Sequence, residues 1–85
     1  MQKGQRLLVK KLIRVFSSIG RVVEYRIDAD LVSFYQGQVV FGKLHEEKLY
    51  LLNIDKEFVE IDYNLLSQEH LLRREVSKAY DISKK

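Results

Sequence analysis

Cysteine, proline and tryptophan are absent from this sequence, and methionine occurs once. Without cysteine, neither a disulfide framework nor a thiolate metal site can staple the fold. That agrees with a reducing compartment. Without proline, no stiff linker divides the chain, and there is no internal repeat. The four glycines (Gly4, Gly20, Gly37, Gly42) are scattered, which excludes a phosphate-cradling loop. No apolar run approaches the roughly 18–20 residues of a membrane span. The basic N-terminus leads into no signal-peptide core, because Leu7–Val9 is followed at once by Lys10 and Lys11. The expectation is a cytoplasmic protein with no membrane contact.

What is present is an ordinary globular composition, 46% hydrophobic and 32% charged over 85 residues. That is enough for one domain, residues 1–85, with a single modest core. The densest run of strand-forming residues is Val39 to Leu52. It reads as two strands, Val39–Leu44 and Lys48–Leu52, broken at His45-Glu46-Glu47, which forces antiparallel pairing. Before it, Gln5–Ile19 has a helical period, with Leu8, Leu12, Val15, Phe16 and Ile19 on one stripe and Gly20 placed to end the helix. Leu7, Val9 and Ile13 widen that stripe beyond what a core needs, which points to a second contact such as a homodimer.

Arg21–Ile27 alternates as a strand with one wet face, Asp28-Ala29-Asp30 is a turn by composition, and Leu31–Tyr35 is a second strand. Gln36-Gly37 makes a tight connection into Val39, and Gly42 suggests a bulge or a closely packed helix. Asn53–Glu57 is loop-like. Phe58–Tyr63 is expected as a fifth, outer strand, and Asn64 or Ser67 is expected to cap a closing helix that starts near Gln68. Within that helix Glu69 and Arg73 have the favourable i, i+4 spacing, and Ser83-Lys84-Lys85 should fray. The fold class is therefore α+β: an antiparallel sheet of about five strands with an N-terminal and a C-terminal helix on it, in the order α-β-β-β-β-β-α.

Charge is uneven along the chain. Met1–Arg26 holds seven basic residues against Glu24 alone, whereas Ile27–Asp62 holds eight acidic residues against three lysines. The candidate binding face is basic and helical: Lys10, Lys11 and Arg14 first, then Arg73, Arg74 and Lys78. It could face nucleic acid or an acidic partner, or it could be answered by the acidic strand turns within the fold and between copies of it.

Reaction chemistry finds little to use. His45 and His70 are the candidate bases and Ser33 and Ser67 the nearest hydroxyls, but no nucleophile motif surrounds them. His45-Glu46-Glu47 has metal-ligand types on adjacent turn residues, a spacing that rarely converges on one ion. Asp28 and Asp30 are explained by their turn. The strand aromatics Phe34, Tyr35, Phe41, Tyr50, Phe58 and Tyr63 could stack bases, as RNA-binding sheets do, yet these strands carry most of the acid. Core packing is the preferred reading for most of these rings. No catalytic residue, cofactor or metal is expected.

Glu24-Tyr25-Arg26, Val40-Phe41 and Lys48-Leu49-Tyr50-Leu51 follow a first helix and a glycine in that order. In this the chain resembles the N-terminal domain of the TfoX/Sxy competence-regulator family, over most of Ile19 to Ser83. Where the family has a glycine- and aromatic-rich motif, this sequence reads Ala29-Asp30-Leu31-Val32-Ser33, so no role of that motif carries over. The resemblance implies a curved antiparallel sheet with flanking helices, and either a non-catalytic regulator of bacterial DNA uptake or a stand-alone domain of unknown role. Three functions are therefore carried forward. The first is a non-enzymatic regulatory or adaptor domain that works through protein contacts, itself included as a homodimer. The second is a nucleic-acid-binding module using the basic helix face, and the third is an enzyme built around His45 or His70.

Overall fold

The computed structural model describes residues 3–85. Helix α1 (Lys3–Ser18) is followed by strands β1 (Glu24–Asp28), β2 (Leu31–Gln36), β3 (Val39–His45), β4 (Lys48–Leu52) and β5 (Phe58–Glu60), then by helices α2 (Tyr63–Ser67) and α3 (Glu69–Ser83). The strands form one antiparallel sheet in the order β1-β2-β3-β4-β5, so every strand pairs with its neighbour in sequence. This is the α+β architecture expected from the alternation and from the short turns between strands.

Each turn has a local cause. Gly20 ends α1 with φ +67°, and Gly37 turns β2 into β3 with φ +62°, both in the left-handed region glycine enters without a Cβ clash. The other three strand connections use non-glycine residues there: Ala29 (φ 55°) between β1 and β2, Glu46 and Glu47 (φ 51° and 63°) between β3 and β4, and Lys56 (φ 65°) between β4 and β5. In β3 the pairing steps from Phe34↔Gly42 to Tyr35↔Val40, which leaves Phe41 as the extra residue of a bulge. The bulge lets Phe41 and Gly42 both be buried. Gly42 is also a tight site, since a β-carbon there would sit 3.1 Å from Leu51 Cδ2.

The helices cover one face of the sheet. Val32, Phe34, Phe41, Leu44 and Leu49 from the strands meet Leu12, Val15, Leu72 and Val76 from α1 and α3, all fully buried. Phe16 is the hub of the aromatic packing, edge-on to Phe34 at 5.0 Å and to Phe41 at 5.8 Å, and Phe41 in turn meets Tyr80 at 5.5 Å.

Several expectations need correction. The buried stripe of α1 is Gln5, Val9, Leu12, Val15 and Phe16, so Val9 belongs to the core while Leu7 and Ile13 stay outside it. Gln5 is 3% exposed although polar, and a hydrophobic count starts the stripe too late for that reason. Its side-chain amide donates to the carbonyls of Asp30 and Leu44 (3.2 Å to Leu44), and its carbonyl accepts the Glu47 N–H at 2.8 Å. One side chain thus holds the β1–β2 turn and the strained β3–β4 turn together.

Tyr63 is not in the fifth strand. Asp62 takes the N-cap position, its carboxylate accepting from Asn64 N–H at 2.8 Å, and the chain turns into α2. Glu69 pairs with Arg14 of α1 at 3.2 Å rather than with Arg73. Ser83 does not fray: it is 6% exposed and its hydroxyl donates to Tyr80 O at 2.6 Å. The end of α3 is held because Lys56 Nζ donates to the carbonyls of Ile82 (2.7 Å) and Lys85 (3.1 Å), a cation placed where the helix dipole favours one.

Candidate functional site

The residues considered for chemistry do not assemble. His45 is exposed at the end of β3 and His70 is exposed in the first turn of α3. Among the described residues no group of three or more histidine and carboxylate side chains could hold a metal ion. Asp28 ends β1, and Asp30 sits in the turn it was expected to make.

The six basic residues of the candidate binding face fall in different surroundings. Lys10 is exposed on the flank of α1 that faces β1. Lys11 is on the other flank, half-buried, with Nζ donating to Leu66 O of α2 at 2.7 Å. Arg14 bridges to Glu69, and Lys78 lies 3.5 Å from Glu75 one helical turn before it. Arg73 and Arg74 are exposed on α3 and make no ion pair among the described residues. Lys10 and Lys11 therefore do not share a flank, whereas Lys11 and Arg14 both serve the packing of α1 against α2 and α3.

The aromatics divide as well. Phe34 and Phe41 are buried in the core, but Tyr35 and Tyr50 are only half-buried, and Phe58 and Tyr63 are 37% and 78% exposed. The expectation that most of these rings serve the core fails. For Tyr35, Tyr50 and Phe58 the cause is the one-sided sheet: α1 and α3 lie on the face that carries Phe34, so alternate residues on the other face have nothing above them. Tyr63 is exposed at the start of α2. There Lys43 Nζ rests 4.5 Å above the Phe58 ring.

The feature that stands out lies at the first edge of the sheet. β1 pairs with β2 from Glu24↔Tyr35 to Asp28↔Leu31 and has no partner on its other side among the described residues. All five of its residues are exposed. Tyr25 and Ile27 stand opposite Phe34 and Val32, both fully buried, so they lie on the helix-bearing face. Yet α1 does not reach over them, and they remain 47% and 51% exposed. Between α1 and β1 runs a groove of about 550 Å³ lined by Val9, Ile13, Tyr25, Ile27 and Ala29, with Arg6 and Lys10 on its helix side. It continues, through the shared Ile13 and Tyr25, into a hollow of about 310 Å³ bounded by Phe16, Val22, Val23 and Arg21. Val22, at 80% exposure, projects at that end.

The alternation of Val23, Tyr25 and Ile27 is readable as a strand face. What a linear reading misses is that this face lies beyond the cover of α1, because that depends on which strand forms the edge. Compared with protein-family models, with curated proteins and with solved structures, the chain matches none.

Proposed function

We propose that this chain is a small non-catalytic regulatory or adaptor domain that works through protein–protein contacts, a second copy of itself included. The observation that carries the reading is the α1/β1 groove. Tyr25 and Ile27 of β1, Val22 just before it and Ile13 of α1 are exposed beside a strand whose outer backbone edge is unpaired among the described residues. A contiguous apolar strip and a free strand edge are the two features that β-strand addition by a partner uses, the edge for backbone hydrogen bonds and the strip for side chains. The resemblance of Glu24-Tyr25-Arg26, Val40-Phe41 and Lys48–Leu51 to the TfoX/Sxy N-terminal domain supports a setting in transcriptional or competence regulation in the bacterial cytoplasm. Among the described residues no helix is long and apolar enough to cross a membrane.

Nucleic-acid binding is the second reading, favoured by Lys10, Arg73 and Arg74, which are exposed and make no ion pair among the described residues. One experiment separates the two. A photoreactive amino acid is placed at Ile27, at Ile54 on the far side of the sheet, or at Arg73, and the adducts formed in cells are identified. Protein adducts concentrated at position 27 are the expected result. Nucleic-acid adducts at position 73 with no protein adduct at position 27 would replace this reading with the second.

A further inference from the structure

Resting on that docking reading, we infer that the occupant of the β1 edge is the β1 strand of a second copy, paired antiparallel about Tyr25. The argument comes from the order of side chains along the strand. Glu24 and Arg26 point to the open face of the sheet, opposite Tyr35 and Ser33, while Tyr25 and Ile27 point to the helix face. Antiparallel pairing with Tyr25 opposite Tyr25 of the second copy sets each Glu24 across from the other copy's Arg26. On the opposite face it sets Val23 across from Ile27. The cross-strand pairs from Val23 to Ile27 are then all of opposite charge or apolar, and Asp28 at the strand end falls opposite Val22.

The neighbouring registers are worse. Centring on Arg26 sets Arg26 against Arg26 and Glu24 against Asp28, three like-charge pairs in a row. Centring on Ile27 keeps an opposite-charge pair, Arg26 with Asp28, but shortens the paired run to Arg26–Asp28. It also sets Glu24 against Asp30 and carries Tyr25 past the strand to Ala29, in the turn. A two-fold interface sets the strand against itself, so the register that is favoured is the one in which the strand's own charges and apolar residues match.

The same two-fold operation joins the sheets of the two copies edge to edge and brings their α1/β1 grooves together on one face. Ile13, Tyr25 and Ile27 of each copy then cover those of the other, and no free edge is left at β1. Lys10 borders the groove with a stem long enough to keep its ammonium in water while its methylenes pack.

The test is charge reversal read by sedimentation or light scattering across a dilution series. Glu24 and Arg26 are exposed, so their variants should keep the wild-type circular dichroism. Glu24→Arg or Arg26→Glu alone turns two attractive pairs into two repulsive ones and should weaken the dimer about tenfold or more. The double variant E24R/R26E restores opposite charges and should return to near wild-type affinity. An equimolar mixture of the two single variants should form heterodimers where neither alone dimerises.

A wild-type chain that stays monomeric, or a dimer the single variants leave unchanged, overturns the inference. So does a double variant no better than the singles. These failures are distinct from failure of the docking reading. A monomer that still yields protein adducts at position 27 loses only the second copy as the occupant.

Discussion

The two edges of the sheet are built differently. At the β5 edge the strand is three residues long, and Glu60 is followed within two residues by the Asp62 cap that takes the chain out of the sheet. The loop before β5 is held by Asn53, whose side chain accepts from Asp55 and Glu57 N–H at 3.0 and 2.9 Å. The same loop is tied to the end of α3 through Lys56. A groove of about 610 Å³ exists there too, but charges of both signs, Glu75, Lys78 and Asp81, line it alongside its apolar residues. At the β1 edge the strand has five residues. On either side of it Arg21 pairs with Asp81 at 3.5 Å, Tyr80 donates to Val22 O at 3.4 Å and Gln5 donates to Asp30 O. Among the described residues, however, no side-chain hydrogen bond or ion pair reaches Glu24–Asp28 itself. A three-residue edge protects itself against pairing by its shortness, whereas a five-residue edge with apolar side chains beyond the cover of the helices invites it. The contrast separates an end of the domain that is finished from one that is left to be completed.

The largest effect that could break this contrast is expected at Gln5, which secures the turn at the far end of β1 and the β3–β4 turn beside it. Gln5→Ala leaves the carbonyls of Asp30 and Leu44 and the Glu47 N–H without their partner. Two of these groups keep partial access to water, so the expected loss is about 2–3 kcal/mol, read from denaturant midpoints. A loss below about 0.5 kcal/mol would mean that water replaces the amide freely and that Gln5 is not what holds the two turns.

Asn53 offers the matching test at the other edge, with a smaller effect. Its bonds are exposed, so the N–H groups released by Asn53→Ala can turn to solvent. A loss of about 1 kcal/mol is expected, with faster amide exchange at Asp55 and Glu57. If this variant cost as much as Gln5→Ala, the β5 edge would depend on its loop as heavily as the β1 edge depends on a buried amide, and the contrast would narrow.

These two residues also mark what the sequence can disclose. The strands, their antiparallel order, the helix stop at Gly20 and the turn at Gly37 follow from alternation and turn chemistry, which are local. Gln5 is invisible to such a reading, because its partners lie 25 to 42 residues away and a glutamine in a first helical turn looks like any solvent-facing one. Helix α2 was hidden by Tyr63, which continues the alternation of Val59 and Ile61 while Asp62 already caps the next element. For the candidate site, the apolar face of β1 was legible but its exposure was not. Exposure follows from β1 being an edge strand, and from α1 packing over the middle of the sheet instead of its margin. The basic residues were legible as a set, yet their division between the two flanks of α1 and α3 depends on how the helices pack.

The smallest expected effect has the opposite sign and probes the β1 edge alone. Ala29 is the first of the two residues that connect β1 to β2, and its φ of 55° lies where a β-carbon crowds the backbone. Hairpin turns of this length take glycine at that position when φ is positive. Ala29→Gly removes the crowding, offset in part by the greater freedom of glycine in the unfolded chain, so a gain of about 0.5 kcal/mol is expected. The gain should be measured at concentrations where the protein is monomeric, and amide exchange across Glu24–Asp28 should slow with it, because the turn is the strand's nearest covalent anchor. An unchanged or lowered midpoint would show that the turn tolerates alanine without strain. The looseness of β1 would then owe nothing to its turn and would rest on the missing neighbour beyond its edge.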